Sequence, residues 1–397
     1  MLAVVLLALS ACTSTPAQST PAASSSTEPS HGTAPASTPS GTAGSSSPSA
    51  TINPTPSQPV ATLASGVALP ACTPGAPKKS DTVTFVASGY AWALSPSGIH
   101  LTCLFAVADA GPFEWGPLGD RALLGGLEVK GVAGGPSLSA SDQTSATITW
   151  SRPTGKSIVY APTAGTSLAK MHLDGTKTQD VTPLPSSTYL SVTYHPSGEA
   201  FAFAVEQSGD ESIWLSSNTG KTPGRLVFSN EGTTFGAIGF DVDGKHLLYA
   251  AQHADNHAEL HRIDVTDPTQ APVVWSGPVG RTILEVKPGL ESGTFAWTTG
   301  TTSCADSLAM AQSPAGTGRA LPDEARPTRA VGWLGATQLL VAAGECRGPL
   351  DLSAVDISTG SIVPLVSGVS TAAVRTPVPI PPARLPASVA SLSSGFS

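Results

Sequence analysis

Charge is scarce in this 397-residue chain. Asp, Glu, Lys and Arg make up only 12% of it, with a formal net charge of −8. The stripe of Lys and Arg that phosphate binding needs is missing, which excludes nucleic acid as an expected partner. Beyond the N-terminus no run of 18 apolar residues occurs, so no helix is expected to cross a membrane there. Local catalytic motifs are lacking too. There is no G-x-S-x-G elbow, and neither Gly125-Gly126 nor Gly134-Gly135 leads into a Lys and a helix. No C-x-x-C spacing exists, which argues against a cysteine zinc site. What abounds is Gly (40) and Pro (36), the residues that cut a chain into short segments joined by turns.

The first segment carries an address. Leu2 to Leu9 is apolar, and Leu9-Ser10-Ala11-Cys12 follows directly. A Leu, two small residues and a Cys resemble the bacterial lipobox, which implies cleavage before Cys12 and lipidation of its sulfur. Residues 1–11 then read as a signal peptide; its customary basic start is missing, so the start of translation is expected upstream of Met1. Residues 12–70 are dominated by Ser, Thr, Pro, Ala and Gly, with too little apolar surface to offset the entropy of ordering. They are expected to form a disordered tether with an r.m.s. span of about 40 Å. The implied location is exported and membrane-anchored, on the outer face of the cell membrane or in the periplasm.

The chain then repeats. VTYHPSGEAFAFAVEQSGDESIWLSSNTGKTPGRLVF, from Val192, reads as four short strands and three tight turns. Related stretches start at Ile148, Ile238, Ile283 and Val331. Thr144, Thr188, Thr234, Thr282, Thr328 and Thr371 stand just before first strands, at intervals of 44, 46, 48, 46 and 43 residues. Four strands in each unit of that period predict a β-propeller. Val83 to Phe105 supplies only three strands of the opening blade. Thr371 to Thr376 (TAAVRT) resembles Thr328 to Trp333 (TRAVGW) and is expected to complete that blade and close the ring. The prediction is all-β with seven blades over 71–378 and a disordered tail over 379–397. Six blades is the alternative, if 118–140 is an insertion. The seven Trp residues fall one to a predicted blade.

The turns SRPTGK, HPSGE and DVDGK, each after an aromatic residue and before an apolar strand, resemble the WD-repeat-like blades of TolB-type propellers. That resemblance specifies fold far better than activity, because propellers carry many unrelated functions. With Cys12 lipidated, Cys72, Cys103, Cys304 and Cys346 remain, and an exported chain with four cysteines is expected to hold two disulfides. The blade register favours Cys72–Cys103 and Cys304–Cys346.

Two polar groups stand out. His253, His257 and His261 recur at four-residue intervals, with Asp255 and Glu259 between them. On a helix they would share a face, but the blade register puts them on a hairpin, where the rings are not expected to converge. No metal and no cofactor is therefore expected. The loops between second and third strands should emerge on one face of the ring, bearing Glu206, Asp210, Glu211, Asp255, Asp306 and Glu345 as a candidate binding face. The expectation is a non-catalytic binding or scaffold protein of the cell envelope. It would contact an envelope protein or peptide, touch the membrane only through its lipid, and be a monomer. The alternative is an envelope hydrolase, lyase or sugar-active enzyme using the central channel.

Overall fold

The computed structural model describes residues 60–376, apart from 109–110, 112, 133–137, 140–144, 163–166, 175–178, 182–183, 185–186, 221–223, 231, 302–305, 315–317, 322–325 and 346–347. The lipidation site at Cys12, most of the predicted tether and the tail over 379–397 lie outside these residues.

The chain forms seven antiparallel sheets, each built on four strands, arranged as a seven-bladed propeller. Blade four shows why the sequence folds this way. Its strands are Thr188–Tyr194, Ala200–Gln207, Asp210–Ser217 and Arg225–Ser229. Residues 200 to 205 of its second strand are all buried, and they alternate in size. Ala200, Ala202 and Ala204 pack with Phe235, Leu247 and Tyr249 of blade five. Phe201, Phe203 and Val205 pack on the other side with Val159, Ala161 and Leu168 of blade three. A sheet apolar on both faces needs a neighbour on each, and full burial of each Phe contributes about 1.5–3 kcal/mol only when that neighbour is present.

The first strands are Glu114–Trp115, Ser145–Trp150, Thr188–Tyr194, Thr233–Phe240, Thr282–Pro288 and Thr328–Trp333 in blades two to seven, and Thr371–Val374 in blade one. Those of blades three to seven, then of blades one and two, lie side by side in that order, making the inner wall of the ring. Blade one joins both ends of the domain, as predicted: Thr371–Val374 pairs with Val83–Ala87, in front of Tyr90–Leu94 and Leu101–Ala106. Thr84 Oγ1 donates to Ala373 O (2.7 Å), and Arg375 donates to Gly119 O (2.6 Å) and Lys78 O (3.0 Å). Each blade does carry one Trp.

The domain begins upstream of residue 71, the boundary that composition predicts. Thr62–Leu63 adds a fifth strand to the outer edge of blade seven, opposite Ser367 and Val366. Ala61 is buried and Leu63 and Leu69 pack beside it. These few apolar residues in a polar tract are what hold the segment. Next, the predicted Cys72–Cys103 disulfide ties the chain to the outer strand of blade one, with Cα atoms 5.4 Å apart. Cys304 and Cys346 lie outside the described residues.

The turns after the first strands lace neighbouring blades together. His195, fully buried, donates from Nε2 to Gly244 O in the next blade's turn (2.7 Å), while its Nδ1 accepts from Ser197 N (3.1 Å). Asp241, also fully buried, accepts from Gly293 N (2.9 Å) in blade six and from Arg262 Nη2 (2.8 Å). Ser292 Oγ donates to Asp243 Oδ2 (2.7 Å). In this way Asp241 and Asp243 connect two blades as well as turning the chain.

Candidate functional site

Polar side chains that are not part of this lacing gather in two places. The first is the end of the ring where second and third strands meet. In blade four these strands join through Ser208 (φ 58°) and Gly209 (φ 90°), a two-residue turn of the kind that matches the twist of a hairpin. Blade one uses the same device at Ser88 (φ 51°) and Gly89 (φ 77°). The blade-four turn sets Glu206 opposite Glu211 and Gln207 opposite Asp210. Burial and the facing Glu206 raise the Glu211 carboxyl, against the hydrogen bond it accepts from Phe235 N of blade five.

The six predicted acidic residues differ in what they do. Glu211, Asp255 and Asp306 are engaged. Asp306 accepts from Thr301 N and Oγ1, both at 2.9 Å, and lies 3.5 Å from Arg281; the Thr301 hydrogen bonds hold its carboxyl below the ordinary range. Asp255 is held low by the His257 ring, which donates to it. Glu206, Asp210 and Glu345 are exposed, and their carboxylates have no hydrogen-bond or ion-pair partner among the described residues.

The histidines of blade five depart from expectation: their rings converge. His246–His253 and Ala258–Asp264 are adjacent strands joined by a tight turn, with Asn256 at φ 69°. His253 N donates to His257 O (3.0 Å), so these two residues face each other across the hairpin. Their rings stack, with centroids 4.5 Å apart. From His257 the strand period of two puts Glu259 and His261 on the same side. The Glu259 carboxylate lies 2.9 Å from His253 Nε2, 3.0 Å from His261 Nε2 and 3.5 Å from His257 Nε2. Burial alone would raise the Glu259 carboxyl; the His253 hydrogen bond and the nearby His261 outweigh it and hold the group low. The hairpin itself, expected to keep the rings apart, brings them together. The readable signal was residues 257, 259 and 261 on a strand, with 253 across the turn.

The second place is the central channel, where the enzyme alternative put a site without naming its residues. Glu114 stands on the first strand of blade two, Arg152 just after that of blade three, and Glu285 and Lys287 on that of blade six. Charges from such distant blades act on one another only across the ring. The surrounding ring wall raises the Glu114 carboxyl, against Lys287 and Arg152, which lower it, and because the Glu114 side chain is exposed to solvent this rise is weaker than full burial would give. Lys287 is raised chiefly by Glu285, whose carboxylate is 3.5 Å away. Two acids and two bases leave this set neutral. Among the described residues, the two groups of His and carboxylate donors close enough to share a cation both stand on blade-five hairpins, not in the channel. One is the His253 cluster; the other, Asp241, Asp243 and His246, already holds the Arg262 guanidinium.

An all-β ring of seven four-stranded blades defines the class: a β-propeller. Several solved structures are similar to the chain. An oligogalacturonate lyase in complex with manganese has a TM-score of 0.50 at 11% identity, over 71% of this chain and 84% of that one. TolB from Acinetobacter baumannii has a TM-score of 0.45 at 12% identity, over 75% and 67% of the two chains. The β-propeller domain of Cps50 (Swd1) from Myceliophteria thermophila has 0.44 at 12% identity, over 64% and 85%. At such identities the likeness is one of fold. No family model matches the sequence, and no curated protein matches it.

Proposed function

We propose that this protein is a lipid-anchored binding protein of a bacterial cell envelope, held by Cys12 and offering an acidic loop face to a basic protein or peptide. The lipobox-like start and the TolB-type turns support the envelope location. One observation carries the binding role. The side chains of Glu206 and Asp210, at the strand ends of the blade-four hairpin, and of Glu345 stand exposed at one end of the ring with no partner among the described residues, whereas the channel charges neutralise one another. Unpaired exposed carboxylates attract a basic partner without first having to break an internal ion pair. The test is cross-linking in intact cells, comparing the wild-type chain with E206Q/D210N/E345Q. The variant is expected to lose the specific cross-linked species at least tenfold while staying in the membrane fraction, and Cys12→Ser is expected to leave that fraction. Equal cross-linking by wild type and the triple variant would refute the acidic-face reading.

A second reading, an envelope hydrolase, lyase or sugar-active enzyme, is favoured by Glu114 alone. Its raised carboxyl in the channel is suited to giving up a proton. It ranks below the first because each channel carboxylate has a cationic neighbour.

A further inference from the structure

The blade-five hairpin has more hydrogen-bond geometry than its neutral side chains have protons. An ionised Glu259 only accepts, so every ring nitrogen facing it must bring a proton or share a cation with it. His257 turns Nδ1 toward Asp255, another acceptor, and Nε2 toward Glu259. His261 turns Nδ1 to Ala271 O (2.9 Å) and Nε2 to Glu259 (3.0 Å). Each of these two rings therefore faces acceptors at both nitrogens. Neutral imidazole carries one ring proton, and the outward partners Asp255 and Ala271 O each claim it. With those protons turned outward, the Nε2 atoms of His257 and His261 present lone pairs to the Glu259 carboxylate, and His253 Nε2 meets the same carboxylate at 2.9 Å.

That is the electronic arrangement of a metal site. One donor atom each from His253, His257 and Glu259 lies within 4.8 Å of the other two. The outward partners complete the pattern. A metal-ligating His typically gives its other ring N–H to a carboxylate or carbonyl, which fixes the tautomer. Asp255 does this for His257. His261 is further fixed by stacking on Tyr249, with centroids 4.8 Å apart and planes 2° from parallel. His253, His257 and Glu259 have side-chain exposures of 26%, 24% and 18%, which leaves an entry path for an ion.

We propose that His253, His257 and Glu259 bind a borderline divalent transition ion, zinc foremost, with Asp255 orienting His257 and His261 packed against the same carboxylate. The two imidazoles select this class over magnesium and calcium, which favour all-oxygen sets. Three protein donors leave a coordination position open on the loop face. There a His or carboxylate of a docking chain has a place to bind.

The test uses the whole exported chain, untagged and stripped with EDTA. Zn2+ uptake is measured against a chromophoric chelator for wild type and H253A/H257A, and Co2+ is added to report coordination by its visible bands. Wild type is expected to take up one more equivalent of Zn2+ than the double variant. Asp255→Asn is expected to weaken that equivalent roughly 10- to 100-fold, as loss of an orienting partner does. His246→Ala, in the Arg262 cluster, is expected to leave it unchanged. Equal Zn2+ uptake by wild type and double variant overturns the proposal. So does a wild-type chain whose Co2+ spectrum remains that of the aqueous ion, a result that needs no variant to fold. The cross-linking experiment above does not depend on this outcome.

Discussion

Gly198 and Gly209 are both glycines at positive φ in blade-four turns, yet they are held differently. At Gly209 (φ +90°) an added Cβ meets nothing within 4 Å, so Ala would cost only its conformational strain, about 1 kcal/mol. At Gly198 (φ +76°) the same Cβ would fall 1.7 Å from the Arg152 carbonyl oxygen of blade three. Gly198→Ala is therefore expected to cost on the order of 3 kcal/mol or more, since backbone of two blades must move apart. Urea unfolding of the two variants checks this, and equal midpoints would count against close approach at the turn. From sequence the two glycines read alike, as turn residues. The difference depends on what another blade brings near, which no local pattern encodes. The His253 cluster repeats the lesson. His, Asp and Glu were visible as a polar run, but their convergence needed the register that sets His253 opposite His257.

At the scale of the element, the blades were legible almost strand by strand. The Thr residues at intervals in the forties mark the first strands, and AFAFAV announces a strand with two packed faces. The first blade's missing strand was legible too, because TAAVRT resembles TRAVGW. Thr62–Leu63 was not, for two paired residues have no periodicity to read. That segment and the Cys72–Cys103 disulfide pin the N-terminal approach to blades seven and one. The disulfide spans a sequence separation of 31, and on the chain-entropy account its removal costs roughly 3–4 kcal/mol. Cys72→Ala is expected to lower the unfolding free energy by that much in guanidinium titration. A variant as stable as wild type would show that packing alone holds the segment.

For the whole molecule, closure is the decisive contact. Without Thr371–Val374 the strand Val83–Ala87 loses its inner partner and exposes a bare edge to the channel, and Arg375 no longer joins Gly119 to Lys78. A chain ending at Ser370 is expected to aggregate, or to lose a single cooperative transition, in size-exclusion chromatography and chemical denaturation. A monomer with an unchanged midpoint would mean that the ring holds without its last strand. By itself the sequence determined the all-β class, the repeat and the way the ends meet, while the choice of seven blades over six came from the structure. The three readings from sequence rest on periodicity and turn chemistry, which act between near neighbours in the chain. Tertiary structure alone decided which polar groups meet. Glu114 and Lys287 act on each other across the channel, Asp241 reaches the turn of the next blade, and three histidines turn toward Glu259. Such meetings depend on how strands pair and how blades are set around a ring, and a side chain's type carries no record of either.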